Sequence, residues 1–315
     1  MCENLIVNTI SAYENDLGLQ LKILEKFSSQ KITHDAVFVG SGDSLCAAML
    51  AEAFSDYQIR AIDPLELAQN KKIAHKKHTY FVSISGNTLS NVRAAKLVKS
   101  KTAITKNPSS RLGKICNNTI PLDYVDSGVL TAGSIGFLAS ALTCISLVQK
   151  FRIKNPKKIM RDAKIQSAKI KPKGKIYFLG NQYTYPIAMY GSAKLSEILG
   201  MDSNYEKIEQ FSHMGLFSAK KGDTVIILEG KNSHNSKLVL YLKKLGIHVF
   251  TPCISGDKFS QVLFYIFISQ FLALNLAKQK KIRECFFISQ KKIRSASSGI
   301  DRKSTRPELQ SRLHL

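Results

Sequence analysis

Three hydroxyls crowd one short stretch of this sequence. In Ser83-Ile84-Ser85-Gly86-Asn87-Thr88, the side chains of Ser83, Ser85 and Thr88 can donate and accept hydrogen bonds, and Asn87 adds an amide. Gly86 lacks the Cβ that would hold a ligand away from the backbone. This chemistry suits an oxyanion such as phosphate; the plain alternative is a strand-to-helix cap, since Ser, Thr and Asn all cap well. A second turn, Gly40-Ser41-Gly42-Asp43-Ser44, places Ser41 and Ser44 around Gly42. Short glycine turns after strands are common, so its weight comes from standing beside the first. Farther along, Lys194 and Glu197 stand three apart on an expected helix, where they share a face and can address one ligand. Read without a ligand, they are a surface ion pair worth about a few tenths of a kcal/mol.

The elements around these residues must position them. His78 to Ser83 reads as a buried parallel strand, and Leu89 to Lys99 carries apolar residues at helical spacing. The hydroxyl turn therefore falls at a strand's carboxyl end and a helix's amino end, where free N–H groups favour an anion. A leading amphipathic helix spans 4–29. Strands follow at 36–39, 58–62, 80–83, 102–105 and 119–122, with helices at 43–56, 64–72, 88–99 and 109–116 and a long apolar helix at 129–151. The basic, proline-marked segment 154–174 reads as a partly helical connector. Strands at 175–179, 224–228 and 248–251 then alternate with helices at 186–199, 207–219, 234–244 and 259–279. Val37-Phe38-Val39-Gly40 and Tyr177-Phe178-Leu179-Gly180 open the two halves alike, which points to an internal duplication. The fold class is α/β, with a doubly wound parallel sheet and ligands at the carboxyl ends of strands.

At 315 residues and 44% hydrophobic content, the chain is long enough for two packed cores. No apolar run reaches the ~18 to 20 residues of a membrane span, and Met1-Cys2-Glu3-Asn4 is not a signal-peptide start, so a soluble, cytoplasmic protein is expected. Six scattered cysteines, without a C-x-x-C pair, argue against a zinc site or a disulfide framework and read as small core residues. The net charge of +23 gathers at 71–77, 154–175, 278–294 and the tail. Without interleaved aromatics or a helix-turn-helix, a solvated lysine-rich surface is favoured over nucleic-acid binding, which the charge alone does not exclude.

The two turns, together with Tyr185-Pro186-Ile187-Ala188-Met189-Tyr190-Gly191-Ser192-Ala193-Lys194-Leu195-Ser196-Glu197, resemble the sugar isomerase (SIS) family over residues 30 to 290. The arrangement is similar to tandem SIS domains, as in the isomerase portion of glucosamine-6-phosphate synthase and in archaeal phosphoglucose/phosphomannose isomerases. The resemblance implies a flavodoxin-like parallel sheet with helices on both faces in each half, a phosphosugar ligand and a homodimer with sites at or near its interface. It divides the chain into a leading helix with the first SIS domain (1–153), the connector (154–174), a second SIS domain (175–290) and a tail (291–315). Carried over, the phosphate and sugar site is Ser83, Ser85, Gly86, Asn87 and Thr88 with Ser41, Gly42, Ser44 and Thr131. Glu197 would move a proton between C1 and C2 of the open-chain sugar, given burial that lifts its pKa toward neutrality. Lys194 would offer charge to the enediolate. His213, in Glu209-Gln210-Phe211-Ser212-His213, would open the ring, a role that an imidazole of unperturbed pKa near ~6.5 can fill.

Several positions depart from that pattern. Met214-Gly215 follows His213 where relatives often have Gly-Pro or Asn-Glu. Gly128 to Ser134 lacks the Pro-Arg pair of the dual-specificity enzymes, whereas Val129 and Thr131 resemble the synthase. The synthase's tail lysine has only loose counterparts in Lys303 and Arg312, and Cys2 is not followed by a glutamine-hydrolysing domain. The expectation is a phosphosugar aldose-ketose isomerase of hexose or amino-hexose 6-phosphates, needing neither metal nor cofactor. The rivals are a non-catalytic phosphosugar sensor and an amino-sugar phosphate deaminase or ammonia-using aminotransferase.

Overall fold

The computed structural model describes residues 8–28, 33 and 35–300. Cys2, Lys303 and Arg312 lie outside the described residues. Strands β1 (Ala36–Val39), β2 (Arg60–Ile62), β3 (His78–Val82), β4 (Lys101–Thr105) and β5 (Asn118–Pro121) form a parallel sheet in the order β2-β1-β3-β4-β5. Strands β6 (Ile176–Gly180), β7 (Ser203–Lys207), β8 (Thr224–Ile227) and β9 (His248–Phe250) form a second parallel sheet in the order β7-β6-β8-β9. The first order is that of flavodoxin-like sheets, and the second repeats its first four places. The strand-end glycines also match: a Cβ on Gly40 would lie 2.6 Å from the carbonyl carbon of Ser44, and one on Gly180 would lie 2.6 Å from that of Thr184.

The helices are α1 (Thr9–Lys26), α2 (Asp43–Phe54), α3 (Pro64–Gln69), α4 (Leu89–Ala95), α5 (Arg111–Ile115), α6 (Ile135–Ser146), α7 (Pro156–Lys169), α8 (Tyr185–Leu199), α9 (Ile208–His213), α10 (Ser233–Lys244), α11 (Lys258–Gln279), α12 (Phe286–Ser289) and α13 (Lys291–Ile300). Side chains alternate across each strand, so each sheet has two apolar faces to cover. Val37, Val39, Phe81 and Ala103 pack outward with Leu67, Val92 and Leu112 from α3, α4 and α5. On the second sheet, Tyr177, Leu179, Val225 and Ile227 pack outward with Phe211 and Leu242. The inward residues Phe38, Val82 and Ile104 of one sheet and Ile176, Phe178 and Ile226 of the other enter one shared cluster. Two separate cores were expected; the chain has one central core with a smaller cluster outside each sheet. The reason is a common helical layer, in which α2 packs on α6 and α8, and α11 packs on α7 and α8.

Several elements differ from the sequence reading. The connector expected to be partly helical holds the 14-residue α7, which is no loose link: it packs against α11 and buries Ile159, Met160 and Ala163. Pro156 fits there because the first helical turn needs no donor from its nitrogen. A helix was expected at 207–219; instead, β7 runs to Lys207, and α9 and a 3-10 turn at Gly215–Phe217 follow. The helix expected at 129–151 is shorter, and residues 129–134 are irregular, with Thr131 donating its hydroxyl to the Ala132 carbonyl and to Asp16 on α1. Among the described residues one helix reaches membrane-spanning length: α11 has 22 residues, with an 18-residue window at a mean hydropathy of 1.6. With 89% of that window buried among neighbouring helices, it is a core helix.

Candidate functional site

Strands β1 and β3 are neighbours, while the connections from β1 to β2 and from β3 to β4 run to opposite sides. Their carboxyl ends form the switch point at which open α/β sheets bind ligands. Both glycine turns sit there. Helix α4 follows the hydroxyl turn but has only seven residues, so the donors of the turn itself outweigh any helix dipole.

In that turn Ser83 is buried, Thr88 is half-buried, and Ser85 and Asn87 face outward. The hydroxyls of Ser83 and Thr88 lie 3.3 Å apart, and the Asn87 N–H donates to Ser85 Oγ at 3.2 Å. Thr88 occupies the N-cap position of α4 but its side chain makes no capping bond, which weighs against the plain cap reading. Gly86 has φ 63, and a Cβ there would lie 2.0 Å from Ser110 Oγ. Only glycine fits without moving the neighbouring loop.

The turn at 40–44 begins α2, and from it Asp43 meets a residue of the second half. Lys194 Nζ donates to Asp43 Oδ2 at 2.8 Å and to Glu197 Oε2 at 2.5 Å, and it lies 4.9 Å from the centroid of the Tyr190 ring. Lys194 has no exposed surface, so in this arrangement its ammonium is enclosed by these groups and holds Glu197 in place from within. Glu197 is 37% exposed, so the burial expected to tune it is not present. The carboxyl that burial does act on is Asp43. Desolvation pushes it up to about 6, with Glu197 adding repulsion and Lys194 opposing both. The two carboxylates hold Lys194 protonated, its pKa raised in spite of burial. Sequence reasoning named Gly42 and Ser44 but missed Asp43 between them. Its partner is 151 residues away, and no spacing rule reports that.

The other candidates are placed differently. Ser41 and Gly42 are exposed and Ser44 is half-buried at the same switch point. Thr131 is tied to Asp16. His213 is exposed and pairs with Glu209 at 3.0 Å, which also lies 3.6 Å from His234. Its ring is therefore engaged on the second sheet's side rather than with Glu197. The corresponding switch point of the second sheet, between β6 and β8, holds a carboxylate of its own: Glu229 accepts from the amides of Asn181, Asn232 and Asn235. A cleft of about 430 Å³ opens there. Among the described residues, no group of three or more His, Cys, Asp or Glu side chains is placed to hold a metal ion.

Comparison with known proteins agrees with this architecture. A search of the curated proteins found no match. Among solved structures, glucosamine-6-phosphate deaminase from Thermotoga maritima is 21% identical over 88% of this chain and 96% of its own, at a TM-score of 0.70. The C-terminal domain of glucosamine-fructose-6-phosphate aminotransferase from Francisella tularensis is 17% identical over 89% and 98%, at 0.64. Tagatose-6-phosphate ketose/aldose isomerase from Escherichia coli is 13% identical over 88% and 90%, also at 0.64. At these identities the likeness is one of fold. In sequence, residues 169–262, which run from the end of α7 into α11 and include Lys194, Glu197 and His213, match the family model of the SIS domain.

Proposed function

We propose that the chain binds a hexose or amino-hexose 6-phosphate at Ser83–Thr88 and interconverts its aldose and ketose forms. In this reading both halves are flavodoxin-like SIS domains, the first supplying the phosphate turn and the second the acid/base group. The observation that carries it is the ion-paired set Asp43–Lys194–Glu197, which ties the accessible Glu197 carboxylate to the first-half turn that neighbours the hydroxyl turn. Glu197 would take the C2 proton of the open-chain aldose, leaving an enediolate, and return it to C1 as the ketose forms. Ser41, Ser44 and Thr131 would face the sugar. His213 would assist ring opening. Its exposure, beside exposed Met214 and Phe217, fits a homodimer whose interface brings His213 toward a site. The SIS match and the solved deaminase, aminotransferase and isomerase folds support sugar-phosphate chemistry.

A non-catalytic phosphosugar sensor is the second reading, favoured by the pairing of His213 with Glu209. A deaminase is the third, supported by the Thermotoga maritima fold. NMR in D₂O with fructose, glucose, mannose and glucosamine 6-phosphates separates them. Deuterium entering C1 or C2 supports enediol chemistry, and ammonia release identifies a deaminase. Thermal stabilisation without exchange identifies the sensor and removes the isomerase.

A further inference from the structure

Asp43 is the only charged residue in the two turns that make up the first-half switch point. A carboxylate beside an oxyanion site works against binding unless it has another task. Its surroundings are built around it. A Cβ on Gly133 would lie 2.0 Å from Asp43 Oδ2, so the backbone before α6 closes directly over the carboxylate. That backbone is fixed in turn: the Tyr190 hydroxyl donates to the Gly133 carbonyl at 2.7 Å, and Gln270 Nε2 approaches the Tyr190 hydroxyl at 3.0 Å and the Ser134 carbonyl at 3.4 Å. Gln20 Nε2 donates to Gln270 Oε1 at 3.0 Å, bringing in α1. Helices α1, α8 and α11 thus hold the lid over Asp43. Asp43 Oδ1 is buried without a partner, so Lys194 is the one described group that compensates its charge.

We infer that Asp43 is a positioning residue for Glu197, acting through the Lys194 ammonium that both carboxylates share. This rests on the proposal that Glu197 carries the substrate proton. With Asp43 ionised, one ammonium serves two carboxylates, and Glu197 keeps more affinity for a proton. With Asp43 neutral, Lys194 is committed to Glu197, which is then held ionised and becomes a weaker base. Among the described residues, the other ionisable groups that interact with the set are Tyr190 on α8, Cys46 on α2, Tyr13 on α1 and Cys285 ahead of α12. Burial pushes all four up, so they stay uncharged where the carboxyls titrate. The proton that comes and goes in this scheme is that of Asp43, and the sharing of Lys194 changes with it.

The test reads the side-chain carboxyl ¹³C shift of Glu197 between pH 3 and 9 in the full chain, without substrate, for wild type, Asp43→Asn and Asp43→Ala. Asp43→Asn keeps an acceptor for Lys194 and nearly the same shape. In wild type the Glu197 signal should carry an inflection near pH 6, where Asp43 titrates beside it, and both variants should remove that inflection. Where wild type exchanges deuterium into a sugar phosphate, kcat should fall about three- to tenfold in Asp43→Asn with KM unchanged. A Glu197 signal unchanged in Asp43→Asn overturns the inference, as does a change in Asp43→Ala alone, which would mark lost packing. Because the titration needs no turnover, it is decided separately from the isomerase reading, which falls if wild type exchanges no deuterium.

Discussion

Lys194 reaches Asp43 across 151 residues of sequence, and its ammonium, with no exposed surface, lies 2.8 Å from that carboxylate. The contact joins the start of α2 in the first half to the middle of α8 in the second. It makes Lys194 a structural tie as well as a neighbour of Glu197. Removing one partner of a buried pair leaves the other charge uncompensated, which costs about 3–5 kcal/mol. Lys194→Met should therefore lower the free energy of unfolding by that much, read from urea titration as a lower midpoint at unchanged slope. Adding Asp43→Asn should recover part of the loss, because the stranded charge is gone. A loss under about 1 kcal/mol would mean that water reaches Asp43 freely.

The raised Asp43 pKa also fixes the sign of a pH effect. Its ordinary value is 3.8 and its folded value is about 6, so between these the native chain binds more protons than the unfolded one. Stability linked to this group is present below pH 3.8 and is lost as pH rises through about 6. Burial of Asp16, Glu52 and Glu206 acts in the same direction, whereas Asp126 and Asp257 are held low and act oppositely. The difference between wild type and Asp43→Asn isolates the one group. Wild type should lose melting temperature relative to the variant from pH 4 to 6.5, and a flat difference would contradict the shift.

Much of this fold was legible because buried parallel strands are short apolar runs. Ala36–Val39 and Ile176–Gly180 are buried at every position and stand out. The edge strand β7, Ser-Asn-Tyr-Glu-Lys, has no fully buried residue and so carries no such signal. The helical character of α7 was legible, but the lysines of its exposed face hid that its apolar stripe belongs to the core. The hydroxyl turn could be read because its chemistry lies within six consecutive residues. Asp43, Gly133 and Gln270 could not, because their roles come from tertiary approach between helices that pattern alone does not bring together.

Gly86 gives the hydroxyl turn its own prediction. A side chain at φ 63 costs about 1–2 kcal/mol, and the Ser110 side chain would also have to move. Gly86→Ala should destabilise the chain by about 2 kcal/mol or more and abolish stabilisation by sugar phosphates. Ser85→Ala with Thr88→Ala should spare the fold while weakening phosphosugar affinity by tenfold or more, since hydrogen bonds to charged groups contribute about 1.5–3 kcal/mol each. Unchanged affinity in the double variant, measured by calorimetry, would move the phosphate site elsewhere.

Glu197→Gln keeps the size of the side chain and an acceptor for Lys194 while removing the base. Phosphosugar affinity should stay within a few fold, and deuterium exchange at C1 and C2 should fall by at least about a hundredfold, the lower range for general base catalysis. Exchange at the wild-type rate would exclude Glu197 as the proton carrier.

The second sheet makes the last prediction, because its switch point repeats the position of the first but not its chemistry. Where the first half presents hydroxyls, the second presents Glu229, with Asn235 Nδ2 at 2.6 Å and the amides of Asn232 and Asn181 at 3.4 and 3.5 Å. These amide donors, which could otherwise serve a bound anion, are already spent on an internal carboxylate. A phosphate entering there would meet like charge at close range, which several hydrogen bonds in a wet cleft would not offset. The chain should therefore bind one phosphosugar, and titration calorimetry should give one site per polypeptide. Glu229→Ala in the Ser85→Ala, Thr88→Ala background should gain weak phosphate binding, seen as a new chemical-shift response of Asn181 and Asn235. Two equivalent sites in wild type would show that Glu229 swings aside and that both switch points are ligand sites.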